Sequence, residues 1–90
     1  MRVEATFQVL NERGLHARAA SKLVALASAF QSDIEAFRGD QGANAKSVMG
    51  VLLLCGARGV SLRFVADGPD AEEALTQIGA LFADLFGEGV

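Results

Sequence analysis

Apolar and polar residues alternate from the start of the chain, with Val3, Ala5, Phe7 and Val9 set against Arg2, Glu4, Thr6 and Gln8. A period of two with one polar face predicts a half-buried β-strand. Asn11-Glu12-Arg13-Gly14 breaks the pattern as a solvated loop. The period then lengthens: Ala20, Leu23, Val24, Ala27 and Phe30 form one stripe at helical spacing, predicting a helix from Ala17 to Phe30. Ile34, Ala36 and Phe37 suggest a second strand, Arg38 to Gly42 a hairpin turn, and Ala43-Asn44-Ala45 a short third strand. Ser47 to Leu54 reads as a short apolar helix behind a serine cap, and Gly56-Ala57-Arg58-Gly59 as a connector. Val60, Leu62, Phe64 and Ala66 alternate again as a last strand, stopped by Asp67-Gly68-Pro69. Asp70 with Glu73 three residues on predicts a capping box, and Ala71, Ala74, Leu75, Ile78, Leu81, Phe82 and Leu85 give the stripe of a final helix. Gly87-Glu88-Gly89-Val90 reads as a frayed end.

The order is strand, helix, strand, strand, helix, strand, helix. One-faced alternation in the strands predicts an α+β fold, an antiparallel sheet covered on one side by helices. No repeat or linker divides the chain, so residues 1–90 are expected to form one domain. At this size about two-thirds of the unfolded surface is buried, leaving little room for an internal cleft. Chemistry is therefore expected at the surface, completed by a second protein.

Eight basic and eleven acidic residues give a net charge of −3 with no basic run, which argues against nucleic-acid binding. Dispersed phenylalanines offer no stacking platform either. The single cysteine, Cys55, excludes an internal disulfide, and its neighbours Leu52 to Leu54 predict a packed thiol in a reducing compartment. The N-terminus lacks the apolar run of a signal peptide, and the run from Val51 to Cys55 is too short to span a membrane. A cytoplasmic monomer is expected.

The chemistry points to Gly14-Leu15-His16-Ala17-Arg18-Ala19-Ala20-Ser21, which holds the only histidine. Residue 16 falls at the start of a helix, where backbone N–H groups lack intrahelical acceptors and the helix dipole favours an anion. The amides of Ala17 and Arg18 are placed to cradle a phosphoryl group, and the Arg18 guanidinium to balance its charge. The positive helix end also disfavours imidazolium, keeping His16 nucleophilic. Because residues i and i+2 do not share a helix face, His16 must be a cap whose ring folds over the helix end. No carboxylate inside the motif can partner the ring, Glu12 being the nearest in sequence. A lone histidine cannot build a zinc site, and no glycine-rich nucleotide loop is present, so no metal or cofactor is expected.

Gly14-Leu15-His16-Ala17-Arg18, with Lys46-Ser47-Val48-Met49-Gly50-Val51, closely resembles the histidine-containing phosphocarrier (HPr) family of the bacterial phosphotransferase system. The resemblance covers nearly the whole chain. It implies an open-faced β-sandwich of four antiparallel strands under three helices. It implies that His16 takes phosphate on Nδ1 from phosphoenolpyruvate-charged Enzyme I and passes it to Enzyme IIA-type proteins, as a stoichiometric carrier and not a self-sufficient enzyme. Sugar-branch members usually carry proline where this chain has Ala19, and more lysines along the first helix than Lys22 alone. Alanine there resembles certain proteobacterial HPr and nitrogen-branch (NPr) proteins, so an NPr-like or Ser47-regulated docking module is the alternative.

Ser47 is expected as a helix N-cap, and the resemblance adds a role as target of an ATP-dependent HPr kinase. Ala20, Val48, Met49 and Leu52 are expected to form a docking patch, with Val48 and Leu52, four residues apart, facing outward and Met49 partly in the core. A small metabolite-binding domain is the remaining reading, and it lacks polar residues on the inward stripes.

Overall fold

The computed structural model describes residues 1–90. Its elements follow the expected order: β1 (Arg2–Gln8), α1 (Ala17–Ser28), β2 (Asp33–Arg38), β3 (Gln41–Asn44), α2 (Val48–Leu53), β4 (Ser61–Asp67) and α3 (Ala71–Ala83), followed by a short 3₁₀ turn at Leu85–Gly87. The four strands form one antiparallel sheet in the order β1-β4-β2-β3. β4 is the hub: Arg2 to Gln8 of β1 pair with Asp67 to Ser61 along one edge, and Asp33 to Phe37 of β2 pair with Asp67 to Arg63 along the other. β2 and β3 form a hairpin whose two-residue turn carries Gly39 at φ +58°.

Alternation sorts the strand residues as the pattern predicts. Ile34, Ala36, Leu62, Phe64 and Ala66 are buried under the helices with Leu23 and Ala27 of α1 and Ala74, Ile78 and Phe82 of α3. Four phenylalanines form the spine of this core. The ring centroids of Phe7 and Phe64 are 5.9 Å apart, those of Phe64 and Phe82 5.6 Å, and those of Phe82 and Phe86 4.9 Å. Such tilted and edge-on contacts add to the area these rings bury. The opposite face of the sheet is polar, with Glu4 accepting from Arg2 at 3.2 Å and from Arg63 at 3.1 Å. The Arg63 guanidinium also stacks over Phe37, 4.4 Å from the ring centroid.

Five local expectations are corrected. α1 stops at Ser28 because Ala29 and Phe30 donate to Leu26 and Ala27, tightening the last turn to i→i+3 bonds. Asp70 makes no capping box: its carboxylate accepts from the amides of Gln31 and Ser32, each at 2.9 Å, and from Ser32 Oγ at 2.6 Å. It ties the α1–β2 loop to the start of α3, and these bonds hold its carboxyl below the ordinary value, the Ser32 hydroxyl first among them.

Cys55 is exposed and not packed, because Leu54 takes the buried C-cap position of α2 and the chain then turns left-handed at Cys55, φ +53°. Asn11 is no solvated loop residue but fully buried. The segment after α3 is ordered: Leu85 and Phe86 adopt φ +56° and +53°, Leu85 leaves the helical stripe, and Phe86 is driven into the core.

Candidate functional site

Val9 donates to Val60 and Gly59 donates back to Val9, so the chain leaves the sheet beside the connector before β4. Leu15 then donates to the carbonyl of Gly56 at 2.8 Å and buries its side chain. Gly14 sits at φ +64°, and a Cβ there would lie 2.6 Å from that same Gly56 oxygen. Only glycine allows this approach. The loop therefore delivers His16 to the start of α1 on an anchored backbone.

His16 is the N-cap of α1, with φ −72° and ψ 176°, and its carbonyl accepts the first helical bond from Ala20 at 2.8 Å. The ring folds over the helix end, as the spacing of His16 and Arg18 requires, and Nδ1 accepts from the Arg18 amide at 3.3 Å. The opposite nitrogen, Nε2, meets a carboxylate oxygen, Oε2 of Glu88. With Nδ1 accepting, Nε2 carries the proton and donates it to Glu88. The lone pair on Nδ1 thus points at the positive end of α1, whose first turn contains no acidic residue to quench the dipole.

Glu88 is the site residue that reading the chain missed. Its side chain is 14% exposed and that of His16 26%. Oε1 accepts from Asn11 Nδ2 at 3.0 Å, so both carboxylate oxygens are engaged. The hydrogen bond from His16, then that from Asn11, hold the Glu88 carboxyl below its ordinary value, with the charge of Arg13 acting the same way. Its partial burial opposes them.

Two shallow hollows lie on this side of the molecule, one beside Glu88 and one touching the ring. One, of about 350 Å³, is lined by Arg13, Arg18, Lys22, Gly87, Glu88 and Val90. The other, of about 260 Å³, lies between His16, Arg13, Leu15 and the backbone of Cys55 to Ala57. Arg13, exposed in the loop as expected, lines both hollows. Three cations against one carboxylate favour an anion in the first hollow. The surrounding side chains include no group of three or more potential metal ligands.

Ser47 caps α2, accepting from the Gly50 amide at 3.1 Å. The exposed side of α2 differs from expectation by one residue. Met49 (68% exposed) and Leu53 (62%) point outward with Val48 (38%), while Leu52 packs partly against the core. The i, i+4 pairing holds, but burial of Val51 and Leu54 rotates the outward pair to Met49 and Leu53. Ala20 is fully buried and offers no docking contact, because α1 presents that face to the core.

The family described as "PTS HPr component phosphorylation site" matches residues 3–84. The phosphocarrier protein HPr of Cupriavidus necator is 43% identical over 81 residues, covering 90% of this chain and 91% of its own. The phosphocarrier protein NPr of Shewanella violacea is 40% identical over 87 residues, covering 97% of this chain and 96% of its own. Among solved structures, HPr-C-His from Thermoanaerobacter tengcongensis superimposes with a TM-score of 0.94 at 38% identity, covering 98% of this chain and 99% of that one. The chain belongs to the HPr family, the phosphocarriers of the phosphotransferase system. No helix is long and apolar enough to cross a membrane.

Proposed function

We propose that this protein accepts a phosphoryl group on Nδ1 of His16 from Enzyme I and passes it to Enzyme IIA-type proteins of the sugar branch. The observation that carries this is the cap geometry, with Nδ1 unprotonated, aimed at the helix end and held there by the Arg18 amide. When phosphorus bonds to Nδ1 the lone pair is consumed, and the freed Arg18 N–H turns to a phosphoryl oxygen. The Ala17 amide, at the first helical position and without an intrahelical acceptor, supplies a second donor. The Arg18 guanidinium lines the adjoining hollow and balances the added charge. Two amides and one arginine at a partly exposed site give moderate stabilisation, which a carrier needs in order to release its group.

The carrier acts stoichiometrically in the cytoplasm, with Enzyme I and the IIA acceptor docking on the α2 surface formed by Val48, Met49 and Leu53. Ser47, at the edge of that surface, is the proposed target of an HPr kinase. Incubation with phosphoenolpyruvate and Enzyme I is expected to give an acid-labile adduct, detected by phosphorus NMR and absent in His16→Ala. Labelling that persists in His16→Ala refutes the assignment. The nitrogen branch is the second reading, favoured by Ala19 and by the likeness to an NPr. Competition between sugar-branch and nitrogen-branch IIA proteins for the phosphorylated carrier separates the two.

A further inference from the structure

Glu88 lies 72 residues beyond His16 and four beyond the end of the family match at residue 84. Its arrival at the ring depends on how the segment after α3 is held. Phe86 is buried against Phe82, and the Lys22 ammonium donates to the Phe86 carbonyl at 2.6 Å. Farther along, the Glu12 amide donates to Val90 O at 3.2 Å. Lys22 projects from α1 one turn beyond Arg18, so the helix that presents its amides to Nδ1 also latches the turn that carries Glu88.

Asn11 supplies the second hold. It is fully buried, and its Nδ2 bridges the Gly14 carbonyl at 2.8 Å and Glu88 Oε1 at 3.0 Å. Its Oδ1 is buried without any partner. An orphaned acceptor costs stability, so packing alone does not account for an asparagine here. Its two donor contacts do: one fixes the loop before His16, the other fixes the carboxylate on His16.

We infer that Asn11 and Lys22 are positioning residues that seat Glu88 on Nε2 of His16, so that the segment after α3 decides which imidazole nitrogen is free to take phosphorus. This rests on the reading of His16 as phosphoryl acceptor. In the step itself the Nδ1 lone pair forms the P–N bond, and the bond from phosphorus to the phosphorylated donor breaks, its electron pair leaving with the donor. The proton stays on Nε2, the ring becomes cationic, and the Glu88 carboxylate compensates that charge. Handing the group on reverses each movement. Arg13, Arg18 and Lys22, all cations, line the hollow beside this carboxylate, and the Asp84 carboxylate lies by Gly87 near the Lys22 ammonium; Glu88 is the carboxylate bonded to the ring.

Two measurements test this on the full chain. In the unmodified protein, nitrogen-15 NMR reads the Nε2–H signal. It is expected to move away from its wild-type position in Glu88→Ala, and part of the way in Asn11→Ala and Lys22→Met, with Lys22→Arg restoring it. In the phosphorylated protein, the pH midpoint for spontaneous loss of phosphate is expected to fall by about one unit in Glu88→Gln, since an opposite charge nearby favours the protonated ring. Adding Lys22→Met to Glu88→Gln is expected to shift that midpoint no further. An unchanged Nε2–H signal in Lys22→Met and Asn11→Ala overturns the inference, as does a Lys22→Met effect equally large without Glu88. Failure of the wild type to take up phosphate is a separate result that overturns the carrier reading, while the NMR measurement still decides the positioning roles.

Discussion

Replacing Gly14 by alanine tests whether the backbone before His16 is as tightly fixed as its geometry indicates. Two effects add. A left-handed φ costs a non-glycine residue about 1–2 kcal/mol. The new Cβ would also lie 2.6 Å from the Gly56 oxygen and 3.0 Å from Ala57 Cα. That oxygen already accepts from Leu15 at 2.8 Å, so it cannot retreat without weakening the bond that anchors the loop. Relief of such overpacking costs about 1–3 kcal/mol.

Gly39 is an internal control: its φ is +58°, against +64° at Gly14, but no atom lies within 4 Å of its would-be Cβ. Gly39→Ala therefore carries the conformational cost alone. Urea unfolding is expected to show a loss of about 1–2 kcal/mol for Gly39→Ala and about 2–5 kcal/mol for Gly14→Ala. At about 4–8 °C per kcal/mol for a domain of this size, Gly14→Ala should melt at least about 8 °C below the wild type. Equal losses in the two variants would falsify the close-approach argument and leave only the dihedral strain.

Three further outcomes are expected. Cys55→Gly should raise stability by about 1 kcal/mol, because it removes a side chain from a left-handed position at a helix end; a loss on urea unfolding would show that the exposed thiol makes an unseen contact. Ser47→Ala should cost about 1 kcal/mol through loss of the Gly50 amide bond, and Ser47→Asp should recover most of it; thermal melting distinguishes this from a purely regulatory serine. The Asp70 carboxyl is held below its ordinary value of 3.8, so the stability it contributes is complete above that value and is lost as pH falls through the lower folded value. Asp70→Asn should therefore flatten the decline of stability below about pH 4, and a profile parallel to wild type in acid titration followed by circular dichroism would sink the assignment.

The strands were legible because β1, β2 and β4 each expose one face to water and bury the other, which writes period two directly into the chain. The His16 cap was legible for a related reason: residues i and i+2 around a helix start leave the ring one place to go. The partner of Nε2 was not. A glycine-flanked Glu88 has the local signature of a loose end, and its order comes from Phe86 reaching the core and Lys22 holding the Phe86 carbonyl. Both depend on left-handed backbone at Leu85 and Phe86, a conformation that side chains of this kind rarely signal. Asn11 was misread likewise: an asparagine between strand and helix looks like a turn residue, and only burial against Glu88 distinguishes it. On α2 Val48 faces outward as expected, but Leu52 turns partly to the core and Leu53 takes its place beside Met49, because six residues are too few for periodicity to settle which face packs.

The sheet order carries a consequence for synthesis. β1 has β4 as its only neighbour, so the strand leading to His16 has no partner until Ser61 is made and is not fully paired until Asp67. Glu88 follows later still, 72 residues after the histidine. At translation speeds of about 5–20 residues per second, that interval is about 4–14 s. A ribosome-bound chain thus shows its histidine motif several seconds before the strand and carboxylate that complete it can arrive. Truncated products that stop before Glu88 would carry the motif and lack the finished site.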